Sequence, residues 1–382
     1  MTRILVAGAG PVGLAFACAC RDAEVTVVDP VPARTDPLPD AYDVRVFALS
    51  AGTRTFLRDI GAWDGLDARR VASVRRMEVF GDAKAKLSFS GRAGGALAWI
   101  VEAGRLARAL EEHAASLPHV RILRGRAAVA VEAHPERAAI ELDGGERLDG
   151  DLLVGADGPD SRVRTLLGLP AEEAAYGEDA IVANFEVERE HGDSARQWFR
   201  PDGVLAWLPL PGKRISIVWS APRESADEIA ALEPTALAER VREAGGSALG
   251  RMKLLTPSPR FPLRLIRVER TVAAGAALIG DAAHAVHPLA GQGVNLGFQD
   301  ARLLADELAN RSPLERAGDL RVLRRYARGR REDVTAMQFV TDSLDRLFAA
   351  EGSGASWLRN AGLQMVDSQG WAKAVLSDRA MR

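Results

Sequence analysis

GDAAHAVHPLAGQGVNLGFQD, residues 280–300, follows a short apolar run, Ala276 to Ile279, that reads as a buried strand. The chain then turns through a loop with Pro288, Gly291 and Gly293. It opens into a helical pattern of Val294, Leu296, Phe298, Ala301, Leu304 and Leu308. A strand, an acid, a glycine-rich turn and a helix start make a pocket for an anionic or electron-rich group. The unpaired N–H groups of a first helical turn lie at the positive end of the dipole and stabilise negative charge by about 0.3–1 kcal/mol. Asp281, after Gly280, is unsuited to a phosphate but well suited to accept hydrogen bonds from the hydroxyls of a sugar or ribityl chain.

The counterpart of this stretch lies at the N-terminus. Ile4 to Ala7 reads as a strand, Gly8-Ala-Gly10-Pro11-Val12-Gly13 as a tight turn, and Leu14 to Arg21 as an Ala-rich helix. Val25 to Val28 is a second strand, closed by Asp29. In this context Gly8 permits the turn, Gly10 lets the backbone approach a pyrophosphate, and Gly13 lets helix pack on strand. Asp29 is placed to reach a ribose hydroxyl. A third glycine–acid cluster lies mid-chain, where the apolar run from Leu152 enters Asp157-Gly158 and a helix start capped by Ser161. By itself that cluster could be a plain strand–turn–helix.

Composition bounds the rest. The 382 residues, 47% hydrophobic and 27% charged, suit a globular enzyme of two or three domains, or one large domain with a subdomain. A net charge of −2 gives no reason to expect nucleic acid as a partner. Cys18 and Cys20, two apart, form neither a CxxC pair nor a disulfide framework. They read as small apolar residues on one helix, in a reducing, cytoplasmic compartment. The apolar N-terminus is broken by Gly8, Gly10, Pro11 and Gly13, unlike a signal peptide, and no run of about 20 residues suits a membrane span. His284 and His287 lack nearby acids at zinc-ligand spacing, and no GxSxG nucleophile elbow occurs.

Between the turns the pattern is mixed. The stretch from Asp43 reads as a loop and then a helix with Leu49, Phe56, Leu57 and Ile60 inward; Arg45 lies just ahead and on composition is a solvated arginine. Val74 to Phe89 suggests two strands. Trp99 to Glu102 suggests another, before a helix with Leu106, Ala109, Leu110 and Ala114 on one face and Arg105 in its first turn. Val120–Leu123, Ala127–Glu132 and Ala138–Leu142 look like antiparallel strands. Four further strand candidates, from Ala180 to Ser220, mark a shift to an antiparallel sheet. Asp227 to Ala244 is expected as one helix and Phe261 to Val268 as a strand. The charge run Arg324, Arg325, Arg328, Arg330 and Arg331 reads as a solvated helix face.

Taken together, GAGPVG (8–13), GADGPDSRVR (155–164) and IGDAAHAVHPLAGQGVNLGFQDA (279–301) resemble the FAD-dependent aromatic hydroxylases, or class A flavoprotein monooxygenases, and especially the ubiquinone-biosynthesis hydroxylases. FPL at Phe261–Leu263, WLPLPG at Trp207–Gly212 and the ending LRNAGLQMVDSQGWAKAVLSDRAM extend the likeness over nearly the whole chain. The expected fold is α/β. It has a Rossmann-like, glutathione-reductase-like FAD-binding domain (1–72, 97–175 and 268–345), an inserted antiparallel β-sheet substrate domain (73–96 and 176–267) and a C-terminal helical segment (346–382).

The resemblance also implies a site. Gly8, Gly10, Pro11, Val12 and Gly13 would hold the FAD pyrophosphate, Asp29 the adenosine ribose, and Arg45 and Arg105 further parts of the cofactor. Val129 would lie near the adenine, and Asp157 and Gly158 would serve both FAD and NAD(P)H. Gly280 and Asp281 would meet the pyrophosphate–ribityl region, and Pro288 would lie beside the flavin ring. The N–H groups of Gly291, Gln292, Gly293, Val294 and Asn295 would face the N1–C2=O edge, which is negative in reduced flavin. The flavin carries the chemistry, so no side chain is assigned as catalytic acid or base. Three departures from the family pattern stand out: a slightly short Gly13–Asp29 stretch, Asp29 in place of Glu, and Ala103-Gly104 where Asn and a larger residue are usual.

The implied reaction consumes NAD(P)H and O2 and places one oxygen on an electron-rich ring, of a small aromatic or a polyprenyl phenol. Trp198, Phe199, Trp207 and Trp219 are candidate lining residues, although core positions are their commoner fate. A polyprenyl substrate would be compatible with peripheral contact to the inner membrane or to a biosynthetic complex. Two rivals remain at this stage: a hydroxylase of a soluble aromatic in catabolism or natural-product tailoring, and a non-catalytic flavin-binding accessory subunit.

Overall fold

The computed structural model describes residues 1–349 apart from 34–35, 37–38, 82–85, 92–94, 201 and 286–292, and of 340–349 only the helical backbone. The first half runs β1 (Thr2–Ala7), α1 (Pro11–Ala19), β2 (Ala23–Asp29), β3 (Val46–Ser50), α2 (Ala51–Asp59), β4 (Ala72–Val74), β5 (Arg76–Phe80) and β6 (Lys86–Ser90). It continues through β7 (Ala98–Glu102), α3 (Ala103–Ser116), β8 (Val120–Arg124), β9 (Ala128–His134), β10 (Arg137–Leu142), β11 (Arg147–Gly150), β12 (Leu152–Gly155) and α4 (Arg162–Leu166). The second half has β13 (Ala171–Val187), β14 (Ser194–Arg200), β15 (Gly203–Leu210), β16 (Arg214–Pro222), α5 (Arg223–Ala230) and α6 (Pro234–Ala244). Last come β17 (Met252–Leu254), β18 (Arg260–Val268), β19 (Val272–Ala273), β20 (Ala276–Leu278), β21 (His284–Ala285), α7 (Gly293–Ala309) and α8 (Leu320–Ala349).

A six-stranded sheet in the order β19-β20-β12-β1-β2-β8 carries all three glycine–acid turns. Its strands from β20 to β8 are parallel, so β1, β12 and β20 end side by side. Parallel strands buried on both faces need near-continuous apolar runs, which Ile4–Ala7, Leu152–Val154 and Ala276–Leu278 supply. Leu14 and Phe16 of α1, Leu106 of α3 and Phe298 of α7 close one face. Each such side chain stabilises the fold by about 1.5–3 kcal/mol. Burial pushes the Cys18 thiol up to about 12 and the Cys20 thiol up as well, so both behave as small apolar residues, Cys18 within α1 and Cys20 just past its end.

A nine-stranded sheet follows the path β21-β18-β13-β16-β15-β14-β5-β6, with β17 on the side of β13. One of its faces, with Ile181, Phe185, Leu205, Trp207, Ile217 and Trp219, is covered by α5 and α6. The other looks towards the small sheet β3-β7-β4, where Leu208, Leu210 and Ala195 pack on Val46, Val74 and Ile100.

Several local expectations are corrected. The stretch after Asp43 contains a strand, β3, before its helix, because Val46–Ser50 finds β7 as an antiparallel partner. The segment Val120–Arg124 is parallel to β2, not antiparallel to its successor. The expected single helix over 227–244 is two helices, α5 and α6. Pro234 opens the second; it lacks an N–H and disfavours helical geometry in the residue before it. Among the described residues, no helix is long and apolar enough to cross a membrane.

Candidate functional site

The three glycine–acid turns meet. Gly8 ends β1 at φ +108°, and a Cβ there would stand 2.2 Å from the Ala156 carbonyl oxygen. A Cβ on Gly13 would stand 2.1 Å from the Gly8 carbonyl oxygen, so neither position admits a side chain. At Gly10 an added Cβ would meet nothing within 4 Å: the space in front of the turn is open. Pro11 is the first residue of α1, where a missing N–H carries no penalty. Val12 packs against the third turn, 3.3 Å from where a Cβ on Gly280 would lie. Arg164, buried on α4, joins the second turn to the third by donating to the carbonyls of Pro159 (2.9 Å) and Ala282 (3.1 Å).

The acids of the three turns differ. Asp29 is buried and accepts from the N–H groups of Ala9 (2.7 Å) and Val31 (2.8 Å), with Arg124 3.2 Å away. The shorter side chain folds back onto its own turn, yet its oxygens keep free lone pairs. Asp157 accepts from the Ser161 hydroxyl and the Val163 N–H (3.0 Å), and Ser161 caps α4, so this carboxylate fixes the turn that holds Gly158. Asp281 has no hydrogen-bond partner among the described residues, and solvent reaches it. It nonetheless stands deep enough among protein atoms that loss of water raises its pKa, opposed by the positive charge of His284 and Arg45. Asp281 is thus both reached by solvent and closely surrounded by protein.

The remaining expected residues surround these turns unevenly. Arg45 is exposed, with its guanidinium 5.5 Å over the Phe261 ring, and so leans from the β3 side towards β18. Arg105 bonds Glu102 (3.1 Å) and the Pro39 carbonyl (3.0 Å), not the turns. Val129 is the extra residue of a bulge in β9: Ala128 pairs with Leu142 and Ala130 with Glu141, which leaves Val129 without a register partner. Gly293 and Val294 open α7. The Asn295 side chain is wholly buried, accepting from the Ser50 N–H (2.9 Å) and donating to the Ala48 carbonyl (2.9 Å), and so ties α7 to β3. Pro288, Gly291 and Gln292 lie outside the described residues.

Two buried charge clusters lie beside these turns; neither was brought together from the sequence, and Arg330, expected on a solvated helix face, is instead buried in the first. Asp300 receives the Gly280 N–H (2.9 Å), His284 Nε2 (2.6 Å) and Arg330 Nε (2.6 Å), all away from solvent. Burial alone would raise the Asp300 pKa, but His284 and Arg330 more than offset it and hold the carboxyl below its usual range. A signal for this cluster existed: Asp300 falls in register with Leu296 and Leu304, and Arg330 with Val322 and Tyr326, on faces that are otherwise apolar. Glu102, also buried, takes two bonds from Arg70 (2.7 and 2.8 Å) and one from the Asp43 N–H (2.7 Å), beside Arg105.

Strand alternation decides the fate of the tryptophans. Trp198, Trp207 and Trp219 point to the side covered by α5 and α6 and are core, not cleft lining. Phe199 is on the opposite face with Val79, Leu87, Met77 and Val204. Next to it, Val182, Val218 and Ala206 form one cross-strand row. The row is apolar up to Gln197, which pairs with Ala206, and Asn184, Ser216 and Ser220 share this face; Val204, Ala206 and Val218 on it are only partly covered.

Comparison with known proteins gives these features a context. The FAD binding domain family matches residues 1–341. The chain belongs to this FAD binding domain family. It is 34% identical to the 3-demethoxyubiquinol 3-hydroxylase of Escherichia coli (strain K12), over 97% of this chain and 96% of that one. It is 32% identical to the ubiquinone hydroxylase UbiL of Rhodospirillum rubrum, over 99% of this chain and 89% of that one. Among solved structures, PqsL of P. aeruginosa shares the fold at a TM-score of 0.78, 24% identity and coverage of 95% and 99% of the two chains. The flavoprotein is an FAD-dependent monooxygenase that hydroxylates aromatic rings, on an α/β fold. The residues present fit FAD: an open front at Gly10, a strand bulge at Val129 and, at Asp281, an acid without a hydrogen-bond partner among the described residues give an elongated dinucleotide contacts along its length.

Proposed function

We propose that the protein hydroxylates a polyprenyl phenol on the route to ubiquinone, consuming NAD(P)H and O2, and that it works in peripheral contact with a membrane. The observation that carries this reading is the pairing of near-full-length ubiquinone-pathway relatives with partly open apolar side chains, Val204, Ala206 and Val218, on the sheet face turned away from α5 and α6.

Bound FAD supplies the redox and oxygen chemistry. The chain's own residues bind and orient. Gly10 and the first turn of α1 take the pyrophosphate, and the helix dipole stabilises its charge. Asp29 accepts from the adenosine ribose with its remaining lone pairs, and the bulge at Val129 meets the adenine edge. Asp281 accepts from ribityl hydroxyls, while Arg45 offsets charge across the cleft. Asp157 and Gly158 keep the second turn in shape. Arg105 contributes from α3, with Glu102 holding its guanidinium in place. The start of α7, from Gly293 to Asn295, presents N–H groups to the ring edge where negative charge develops. The apolar sheet face excludes water from the reacting ring.

The test is turnover with purified protein. A polyprenyl phenol should give a product heavier by one oxygen and should stimulate NAD(P)H oxidation, and a deletion strain should accumulate the unhydroxylated quinone precursor. Product from soluble phenols alone would replace the substrate. FAD retained without substrate-stimulated oxidation would make the protein an accessory subunit.

A further inference from the structure

The arginine run on α8 divides in two. Arg325 is held by Glu307 (2.7 Å) and Glu315 (2.9 and 3.2 Å), and Arg330 by Asp300. Arg321, Arg324, Arg328 and Arg331 are exposed and make no salt bridge among the described residues. At 3.6 residues per turn these four fall within roughly a quarter of the helix circumference, along about 15 Å. Glu332 flanks the row and Asp333 bonds Arg330 (3.0 Å), so the four arginines outnumber these two acids and the face is net positive.

Apolar side chains stand at both ends of that row. Leu314 is 93% exposed and Phe339 69%; with Met1 they are the most exposed large hydrophobic residues among those described. Leu314 precedes Glu315, whose carboxylate holds Arg325, so it lies beside the first turns of α8. Phe339 follows Arg321 by five whole helical turns and lies on the same line. A row of unpaired cations ending in exposed apolar residues is what a helix lying on an anionic interface presents.

We propose that this face of α8 seats the protein on the surface of an anionic lipid bilayer. The arginines meet headgroup phosphates, and Leu314 and Phe339 enter the headgroup–acyl boundary. Its purpose rests on the polyprenyl-phenol reading, since such a substrate is drawn from a bilayer; the surface itself stands on the residues above.

The experiment is co-sedimentation of the full-length, FAD-loaded protein with phosphatidylcholine vesicles, with and without phosphatidylglycerol. The protein should pellet only with the anionic vesicles, and less as salt rises. Each Arg→Gln change should weaken binding about five-fold, and R321Q/R324Q/R328Q/R331Q together should abolish it. Leu314→Ser with Phe339→Ser should weaken binding even at high salt. FAD content and melting midpoint should match the parent in every variant. Failure of the parent to pellet with anionic vesicles, equal binding to neutral ones, or unchanged binding of the quadruple variant would overturn the proposal. Capture of an acidic protein through the same arginines, without vesicle binding, would also overturn it. Vesicle binding without polyprenyl-phenol turnover would remove the substrate reading and leave the lipid surface standing.

Discussion

Asp281 and Asp300 are near neighbours in one motif, and their surroundings push them in opposite directions. Loss of water raises the Asp281 pKa, and among the described residues no hydrogen bond stabilises its charge. An acid raised on folding destabilises the folded state as pH climbs from its ordinary value, about 3.9, through its folded one. Asp281→Asn should therefore raise the neutral-pH melting midpoint of FAD-free protein while weakening FAD retention; a lower midpoint with full FAD content would contradict this. Asp300 has the opposite sign. His284 and Arg330 lower its pKa, so its contribution is complete above about pH 3.9 and fades as pH falls towards the folded value. Asp300→Asn leaves Arg330 and His284 without their anion and should lose about 3–5 kcal/mol at neutral pH, read by urea unfolding. The variant should also lose part of the parent's acid sensitivity. The sequence marked Asp281 by its place after an apolar strand. The role of Asp300 needed Arg330, thirty residues away on another helix.

At the scale of elements, the glycine turns were legible because their constraint is local. Gly8 needs φ +108° and no Cβ, and Gly13 needs none either, whatever the rest of the chain does. Gly8→Ala should accordingly give protein that purifies without FAD or fails to fold. A Cβ 2.2 Å from the Ala156 oxygen forces β1 and β12 apart. Absorbance of the purified protein near the flavin bands checks it, and normal flavin content would show that the turn tolerates the change. Helix α3 was legible for a similar reason, with Leu106, Ala109, Leu110 and Ala114 buried at helical spacing. Strand β3 was not, because five residues carry little periodicity and its existence depends on pairing with β7. Nor was the direction of β8, since an isolated apolar run has no memory of which neighbour it will pair with.

Across the whole molecule, apolar packing and a few polar bonds join the nine-stranded sheet to the rest of the chain. Asn184 Nδ2 donates to the Asp43 carbonyl (2.8 Å) from a fully buried position. Arg264 and Asp160 form a two-pronged ion pair (2.8 and 3.1 Å) between β18 and the second glycine turn, at the surface. An exposed pair of this kind couples by under about 1 kcal/mol and weakens with salt. A double-mutant cycle of Arg264→Gln and Asp160→Asn on urea stability should show that small coupling vanishing in high salt. A large, salt-independent coupling would mean the pair is sealed when the two sheets close.

The sequence by itself determined the three turns, the FAD family and most helices. Each rests on local sterics or on spacing along one element, which a one-dimensional pattern records. Only the tertiary structure decided which sheet face the tryptophans take, which arginines of α8 are paired and how Asp300 is neutralised. Those outcomes depend on strand register and on contacts between segments far apart in the chain, and no local pattern carries that information.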